Sequence, residues 1–435
     1  MALTGRTALL AALASLLVGF LAPGWTGILA ADLCIALACV CDFALAAPVR
    51  RLVLTRSGGA AVRLGDAVDT TLTVTNPSGR PLRAVLRDAW PPSSRARGSD
   101  GPGRHRLTVP PGERRRVATR LHPTRRGDHR ATRVTIRSYG PLGLLCRQGG
   151  HLVPGTVRVL PPFHSRKHLP AKLARLREMD GRTSVLTRGE GTEFDSLRAY
   201  VPGDDTRSID WRATARQTGV AVRTWRPERD RRILLVLDTG RTSAGRVGDA
   251  PRLDAAMDAA LLLAALASRA GDRVDLLAYD RRIRALVQGR AAHEVLPAMV
   301  DAMAPLEAEL VETDARGLAA AALRTAPRHA LVVLLTSLET APVEEGLLPV
   351  LAQLTQRHTV LVASVADPHI ARMAAGRGTA DAVYEAAAAV QAQSERRRTA
   401  DELIRRGVSV VDALPGDLAP ELADAYLALK SAGRL

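Results

Sequence analysis

Between Gly189 and Arg216 the chain reads "GEGTEFDSLRAYVPGDDTRSIDWRATAR", which sets Glu190, Glu193, Asp195, Asp204, Asp205 and Asp210 among Arg198, Arg207, Arg212 and Arg216, around Phe194, Tyr200 and Trp211. Three kinds of chemistry fit such an array. Asp204 and Asp205 could act as a metal-binding pair or as an acid/base couple, as carboxylates do when their pKa values are pushed apart. Neighbours on a strand point to opposite faces, so the pair converges only in a turn, and Pro202-Gly203 supplies one. The array could instead be a structural lock in which planar guanidiniums grip carboxylates in pairs. Asp205 is then placed to cap a helix beginning in "TRSIDWRATAR", Asp210 pairs back to Arg207 along one helix face, and Trp211 and Phe194 anchor the segment on the domain that follows. A third possibility is that part of the array faces a protein partner. The lock asks least of these residues and is the preferred reading, with a clasp between the two halves of the chain as its role.

A second candidate is Asp238, which ends the apolar run "RRILLVLDTGRTS" and is followed by the hydroxyls of Thr242 and Ser243. Hard divalent cations such as Mg²⁺ take oxygen ligands, and a strand-end Asp backed by hydroxyls supplies them. His164 and His168, four apart, are crowded by Pro161, Pro162 and Pro170 and read as an exposed loop pair. Other catalytic patterns are missing: no P-loop, no dinucleotide fingerprint, no nucleophile elbow, and "HEVLP" at His293 fails the zinc-protease pattern at its fifth position. No catalytic constellation emerges, and the chain reads as a non-enzyme. The enzymatic alternative is a metal-dependent hydrolase using Asp238 with Asp204 or Asp205.

The elements that must hold these residues follow from periodicity. After Arg216, continuous apolar runs ("RRILLVLDTG", "DRVDLLAYD", "ALVVLLTS", "HTVLVASV", "GVSVVDA") alternate with Ala/Leu-rich helical stretches, the pattern of a parallel sheet covered on both faces. Such sheets bind ligands at the carboxyl ends of their strands. Residues 48–162 instead alternate as half-buried strands separated by Asn76-Pro77, Pro110-Pro111-Gly112 and Arg126-Gly127-Asp128 turns, predicting a small all-β sandwich. Residues 163–188 form a basic connector. From Thr7 to Ala47 only Asp32 and Asp42 are charged, and Pro23-Gly24 breaks the run, which predicts a two-helix transmembrane hairpin at about 7–22 and 26–47. Arg6, Arg50 and Arg51 flank it while its turn has no basic residue, so both termini are expected in the cytoplasm.

Composition narrows the partners. The 435 residues carry a net charge of +17, almost all from arginine, since Lys167, Lys172 and Lys430 are the only lysines. The charge is spread over several segments and is not interleaved with aromatics, as single-strand binders require, so no specific nucleic acid is expected; an anionic membrane serves as counter-charge equally well. Cys34, Cys39, Cys41 and Cys146 lack zinc-ligand spacing and read as reduced thiols.

Asp238-Thr239-Gly240-Arg241-Thr242-Ser243 resembles the metal-ion-dependent adhesion site of von Willebrand factor A domains, an Asp-x-Ser-x-Ser loop joined by a Thr from a second loop and an Asp from a third. The resemblance makes Asp238, Thr242 and Thr313 the ligand set; it departs at Gly240, which has no hydroxyl, and at Ser337, where an Asp is expected. Across nearly its whole length the chain also resembles the domain-of-unknown-function 58 family. The match is carried by Glu193-Phe194, Leu197-Arg198, Tyr200, Gly203-Asp204-Asp205, Arg207, Ile209-Asp210-Trp211 and Ala215-Arg216, with "LVLDTGRT" and the closing "AYLALKSAGRL". It implies a von Willebrand A-like, Rossmann-like α/β domain at 217–435, behind the signature segment 189–216. It also implies a MoxR-type AAA+ ATPase as partner. The expectation is therefore a membrane-anchored cytoplasmic adaptor working with that ATPase in assembly or maturation of other proteins. Binding of anionic membrane or nucleic acid through arginine-rich surfaces is the alternative.

Overall fold

A computed structural model describes residues 2–21, 23–186, 193–201, 206–216, 219–226 and 231–435, with backbone alone for 180–186, 193–196, 207 and 223–226. The chain divides into two compact units, Met1–Leu160 and Pro161–Leu435.

The first unit begins with helices α1 (Gly5–Leu21) and α2 (Trp25–Leu45). Their large apolar side chains face outward, Phe20 and Trp25 being 87% and 81% exposed, where a water-soluble unit would bury them. One helix, running from Trp25, is long and apolar enough to cross a bilayer; α1 is equally apolar but has 17 residues. Strands β1 (Val53–Ser57), β2 (Val68–Thr75), β3 (Leu82–Asp88), β4 (Arg104–Val109), β5 (Arg114–Leu121), β6 (Gly127–Tyr139) and β7 (Leu145–Leu160) follow. They form two antiparallel groups, β7-β6-β3-β4 and β1-β2-β5. Alternation in sequence sets which residues turn inward. Leu72 and Val74 of β2 share a core with Leu82 and Leu86 of β3 and Val134 and Ile136 of β6. A buried ion pair, Arg56 to Asp88 at 2.7 Å, ties β1 to β3, and Trp90 Nε1 and Thr119 Oγ1 donate to the same carboxylate. Removing one partner of such a pair typically costs about 3–5 kcal/mol, because the other charge stays buried.

The second unit opens with helix α3 (Leu169–Leu186) and a two-stranded antiparallel ladder of β8 (Glu193–Ala199) and β9 (Ala221–Arg226). Between those strands lie a 3₁₀ turn at Thr206–Ser208 and the one-turn helix α4 (Trp211–Thr214). A six-stranded sheet follows: β10 (Arg232–Asp238), β11 (Arg273–Tyr279), β12 (Ile283–Val287), β13 (Leu331–Leu335), β14 (Thr359–Val365) and β15 (Ser409–Ala413). Its order is β12-β11-β10-β13-β14-β15, parallel throughout except for the edge strand β12. Helices α5 (Arg252–Arg269), α6 (Ala292–Met303), α7 (Ala315–Thr325), α8 (Leu348–Thr355), α9 (Ala380–Arg405) and α10 (Leu418–Ser431) cover it. α5 is buried nearly all round, from Leu253 to Ala267, including Asp258, whose carboxylate accepts from Ser165 N at 3.2 Å. α10 is fastened to the turn before β11 by Asp272, which accepts from Tyr426 Oη at 2.6 Å and from Lys430 Nζ at 2.7 Å.

The acidic segment folds differently from the expectation at its helix. α4 starts at Trp211, and its cap is Asp210, whose carboxylate accepts from the backbone of Arg212 and Ala213, both at 3.0 Å. Asp210 thus precedes the helix, where its oxygen meets the unpaired first-turn amides, while its expected pairing with the Arg207 side chain lies outside the described residues. Trp211 is 69% exposed, so among the described residues little of its indole is packed away from solvent. Gly203, Asp204 and Asp205, the proposed turn, carboxylate pair and cap, lie outside the described residues, as do the side chains of Glu193, Phe194 and Arg207.

Candidate functional site

The strand order reverses between β10 and β13, and there the connections leave the sheet in opposite directions and open a crevice at the carboxyl ends. Asp238 is the last residue of β10, so the buried run Ile233–Leu237 delivers its carboxylate into that crevice. Four donors converge on it. Gly240 N at 2.8 Å and Thr313 Oγ1 at 2.5 Å bond Oδ1, while Thr336 Oγ1 at 2.6 Å and Thr242 Oγ1 at 3.4 Å bond Oδ2. Asp238 is 5% exposed, so this hydroxyl ring replaces the water that a surface carboxylate would hold.

Each hydroxyl reaches the site from a different element. Thr242 lies on the one-turn helix after β10. Thr313 belongs to the segment before α7, held in place where Arg241 N donates to Val311 O at 2.8 Å, Glu309 N to Thr239 O at 2.8 Å and Asp314 N to Asp280 O at 2.8 Å. Asp314 in turn caps α7 through Gly317 N. Thr336 follows β13 directly. Ser337, which stands where the adhesion-site pattern has an Asp, accepts from Glu339 N at 3.2 Å and orders its own loop.

Gly240, the departure from the adhesion-site pattern, has a steric cause. A Cβ there would collide with Thr313 Oγ1 and would stand 2.9 Å from Val311 O and 3.2 Å from Asp238 Oδ1. The Thr313 hydroxyl occupies the space that a side chain at 240 would take.

The neighbouring carboxylate, Asp280 after β11, is neutralised by Arg284 of β12 and by donors of the adjoining turns. It accepts from Arg281 N at 2.5 Å, Arg282 N at 3.1 Å, Thr239 Oγ1 at 3.3 Å and Arg284 Nη1 at 3.1 Å. Arg284 also donates to Glu309 at 2.8 Å, and these acidic partners hold its guanidinium above the usual arginine range. Burial, and then Asp314, push the Tyr279 phenol up, so it stays protonated beside them.

In front of Asp238 lies a cavity of about 330 Å³. Arg241 and Glu312, paired at 3.1 Å, stand at it with Glu345, and Leu318, Leu334 and Val343 line its apolar part. Among the described residues no three His, Cys, Asp or Glu side chains gather as a metal cluster, so a cation here would rest on one carboxylate and the threonine hydroxyls.

The signature segment builds a separate feature. Tyr200 N donates to Val220 O at 2.8 Å, Asp210 N to Ala221 O at 2.9 Å, and Ala221 N to Thr214 Oγ1 at 3.0 Å, closing the ladder of β8 and β9 over α4. Leu197 is 40% exposed, Arg198 donates to Ala199 O at 3.1 Å, and Arg216 N caps the end of α4 on Ala213 O at 3.0 Å. The hydrolase alternative needs Asp204 or Asp205 beside Asp238, and both lie outside the described residues.

A family model described as "Protein of unknown function DUF58" matches residues 196–406. The uncharacterized protein YeaD of Bacillus subtilis is 25% identical over 176 residues, covering 40% of this chain and 44% of its own. The uncharacterized protein Rv1480 of Mycobacterium tuberculosis is 28% identical over 184 residues, covering 42% of this chain and 57% of its own. The chain thus spans about half the length of the curated relatives it matches. Among solved structures, the CARDB domain of a Pyrococcus furiosus protein aligns with 25% of this chain and 93% of its own at 14% identity and a TM-score of 0.19. A PapD-like domain of human CEP192 aligns with 25% and 84% at 11% identity and a TM-score of 0.17. Scores of that size assign no fold.

Proposed function

We propose that this chain is a membrane-anchored interaction protein of the domain-of-unknown-function 58 family, whose von Willebrand A-like unit presents the Asp238 site to a partner protein. The observation that carries the reading is the ring of Thr242, Thr313 and Thr336 around Asp238 at the switch point of the sheet, in front of a cavity. The sheet order, with its single antiparallel edge strand, supports the von Willebrand A-like assignment. An all-oxygen donor set of one carboxylate and three hydroxyls fits a hard divalent cation such as Mg²⁺. With only one negative ligand from this chain, such a cation retains positive charge for an acidic group of the partner.

Two helices crossing together as a hairpin, with both termini in the cytoplasm, account for the outward apolar faces of α1 and α2. α1, at 17 residues, lies at the short end of the range that spans a bilayer. The family resemblance supplies a MoxR-type AAA+ ATPase as partner, with the ATPase providing the energy for assembly or maturation of client proteins. The test is affinity capture of the purified ATPase by the detergent-solubilised chain, with and without Mg²⁺ and ATP. The Asp238→Ala variant should lose capture by tenfold or more, given that a charged hydrogen-bonding group is worth about 1.5–3 kcal/mol. Unchanged capture rejects the role given to the site.

A further inference from the structure

At the base of the N-terminal helices, four arginines form a collar that no acidic side chain among the described residues neutralises. Arg147 donates to Phe43 O from Nε at 3.1 Å and from Nη2 at 3.0 Å, with its guanidinium 4.1 Å from the Phe43 ring centre. Arg80 donates to Ala44 O. These carbonyls close the last turn of α2, where helix groups lack partners and the dipole favours cations. Arg6, in the first turn of α1, donates to Leu142 O at 3.1 Å, and Arg83 to Pro141 O at 3.5 Å.

The Asp42 carboxylate at this base is committed to backbone amides. Asp42 is 1% exposed and accepts four successive backbone amides: Leu142 at 2.7 Å, Gly143 at 3.3 Å, Leu144 at 2.7 Å and Leu145 at 3.1 Å. Thr4 and Thr7 bond the carbonyls of the same loop, Thr4 Oγ1 to Gly143 O at 2.7 Å and Thr7 Oγ1 to Leu144 O at 2.5 Å. The loop is thereby clasped between both helices; its carbonyls hold Arg6 and Arg83, and the last carbonyls of α2 hold Arg80 and Arg147. Among the described residues none of the four arginines forms an ion pair. Beside them Leu3 and Leu142 are 73% and 54% exposed.

We propose that this collar binds the headgroups of anionic phospholipids, with the Arg6, Arg80, Arg83 and Arg147 guanidiniums on lipid phosphates and Leu3 and Leu142 dipped among the upper acyl carbons. The inference rests on the membrane-anchored reading above. It adds a lipid class and a site: guanidiniums match phosphate oxygens in geometry and charge, and apolar side chains beside them suit a bilayer interface and not a dissolved anion.

The test is titration of the full chain, in neutral detergent, with phosphatidylglycerol or phosphatidylcholine of matched acyl chains, counting bound lipid by native mass spectrometry. Phosphatidylglycerol should bind roughly tenfold tighter or better, and the Arg80→Gln/Arg83→Gln pair should lose about tenfold of that preference, since each basic residue near an anionic surface contributes roughly fivefold before screening. The Arg115→Gln/Arg116→Gln pair on β5 removes the same charge elsewhere and should leave the preference intact. If the first pair unfolds the unit, Arg6→Gln replaces it, with about a fivefold loss expected. Equal binding of the two lipids, or equal loss in both double variants, overturns the proposal. So does full competition by free glycerol phosphate at concentrations matching the lipid. A carbonate wash of membranes separates the two readings: release of the chain overturns anchoring and collar together, whereas a retained chain without lipid preference overturns the collar alone.

Discussion

Thr336 donates its hydroxyl to Asp238 Oδ2 at 2.6 Å across 98 residues of sequence, joining the ends of the two strands between which the sheet reverses its order. Ser337, next in the chain, turns to its own loop at Glu339 N. Thr336→Val keeps the shape and removes the donor, leaving a buried carboxylate one partner short. The expected cost is about 1–3 kcal/mol, with Thr336→Ser near neutral and Ser337→Ala below about 1 kcal/mol. Thermal unfolding of the solubilised variants measures it, and a Ser337→Ala loss as large as that of Thr336→Val would assign the site to the wrong hydroxyl.

Gly240 and Thr313 make a second, reciprocal prediction. Gly240→Ser would supply the missing hydroxyl and give Asp-x-Ser-x-Thr on paper, yet its Cβ meets Thr313 Oγ1. Overpacking of this kind costs about 1–3 kcal/mol. Thr313→Ala alone removes a donor from Asp238 and is also destabilising. The double variant moves a hydroxyl from one position to the other and should recover the part of the loss due to Thr313 Oγ1, while the 2.9 Å approach to Val311 O remains, a coupling between contacting residues visible in a double-mutant cycle. Additive losses would show that the two positions do not share one space.

What the sequence discloses here depends on range. The apolar runs ending at Asp238 and at Leu335 identify themselves as buried strands, because a strand covered on both faces needs apolar side chains on both. Asp238 could be placed at a strand end for the same reason. Thr336 could not be told from Ser337, since side chains alternate along the strand and one residue of uncertainty at its end exchanges the two. The clasp on Asp42 was out of reach for a different reason: its four donors are backbone amides about one hundred residues away, which no side-chain pattern encodes. The start of α4 turns on a few residues. Asp205 and Asp210 both precede helix-forming residues, and only the interruption at Ile209, which bridges to Val222, moves the helix start past the second.

The β-rich unit carries a pH dependence in His105. Its ring is 1% exposed; Nε2 lies 2.9 Å from Thr119 Oγ1, and Nδ1 accepts from Ser99 N at 3.3 Å. Thr119 Oγ1 already donates to Asp88, so it accepts from His105, and the network fixes the neutral tautomer protonated on Nε2. A second proton would have to go on Nδ1, against an amide hydrogen. Burial lowers the imidazole below its ordinary 6.5, while the Asp88 charge pulls the other way and Arg56 neutralises much of that charge. A folded-state pKa below the unfolded value means that the unfolded chain takes up protons first as pH falls. The stabilisation is therefore complete above pH 6.5 and is lost progressively below it, down to the lowered folded value. Amide hydrogen exchange in Arg104–Val109, corrected for its intrinsic pH dependence, should show protection falling from pH 7 to pH 5 in the native chain. His105→Gln should flatten that slope, and an unchanged slope would place the titrating group elsewhere.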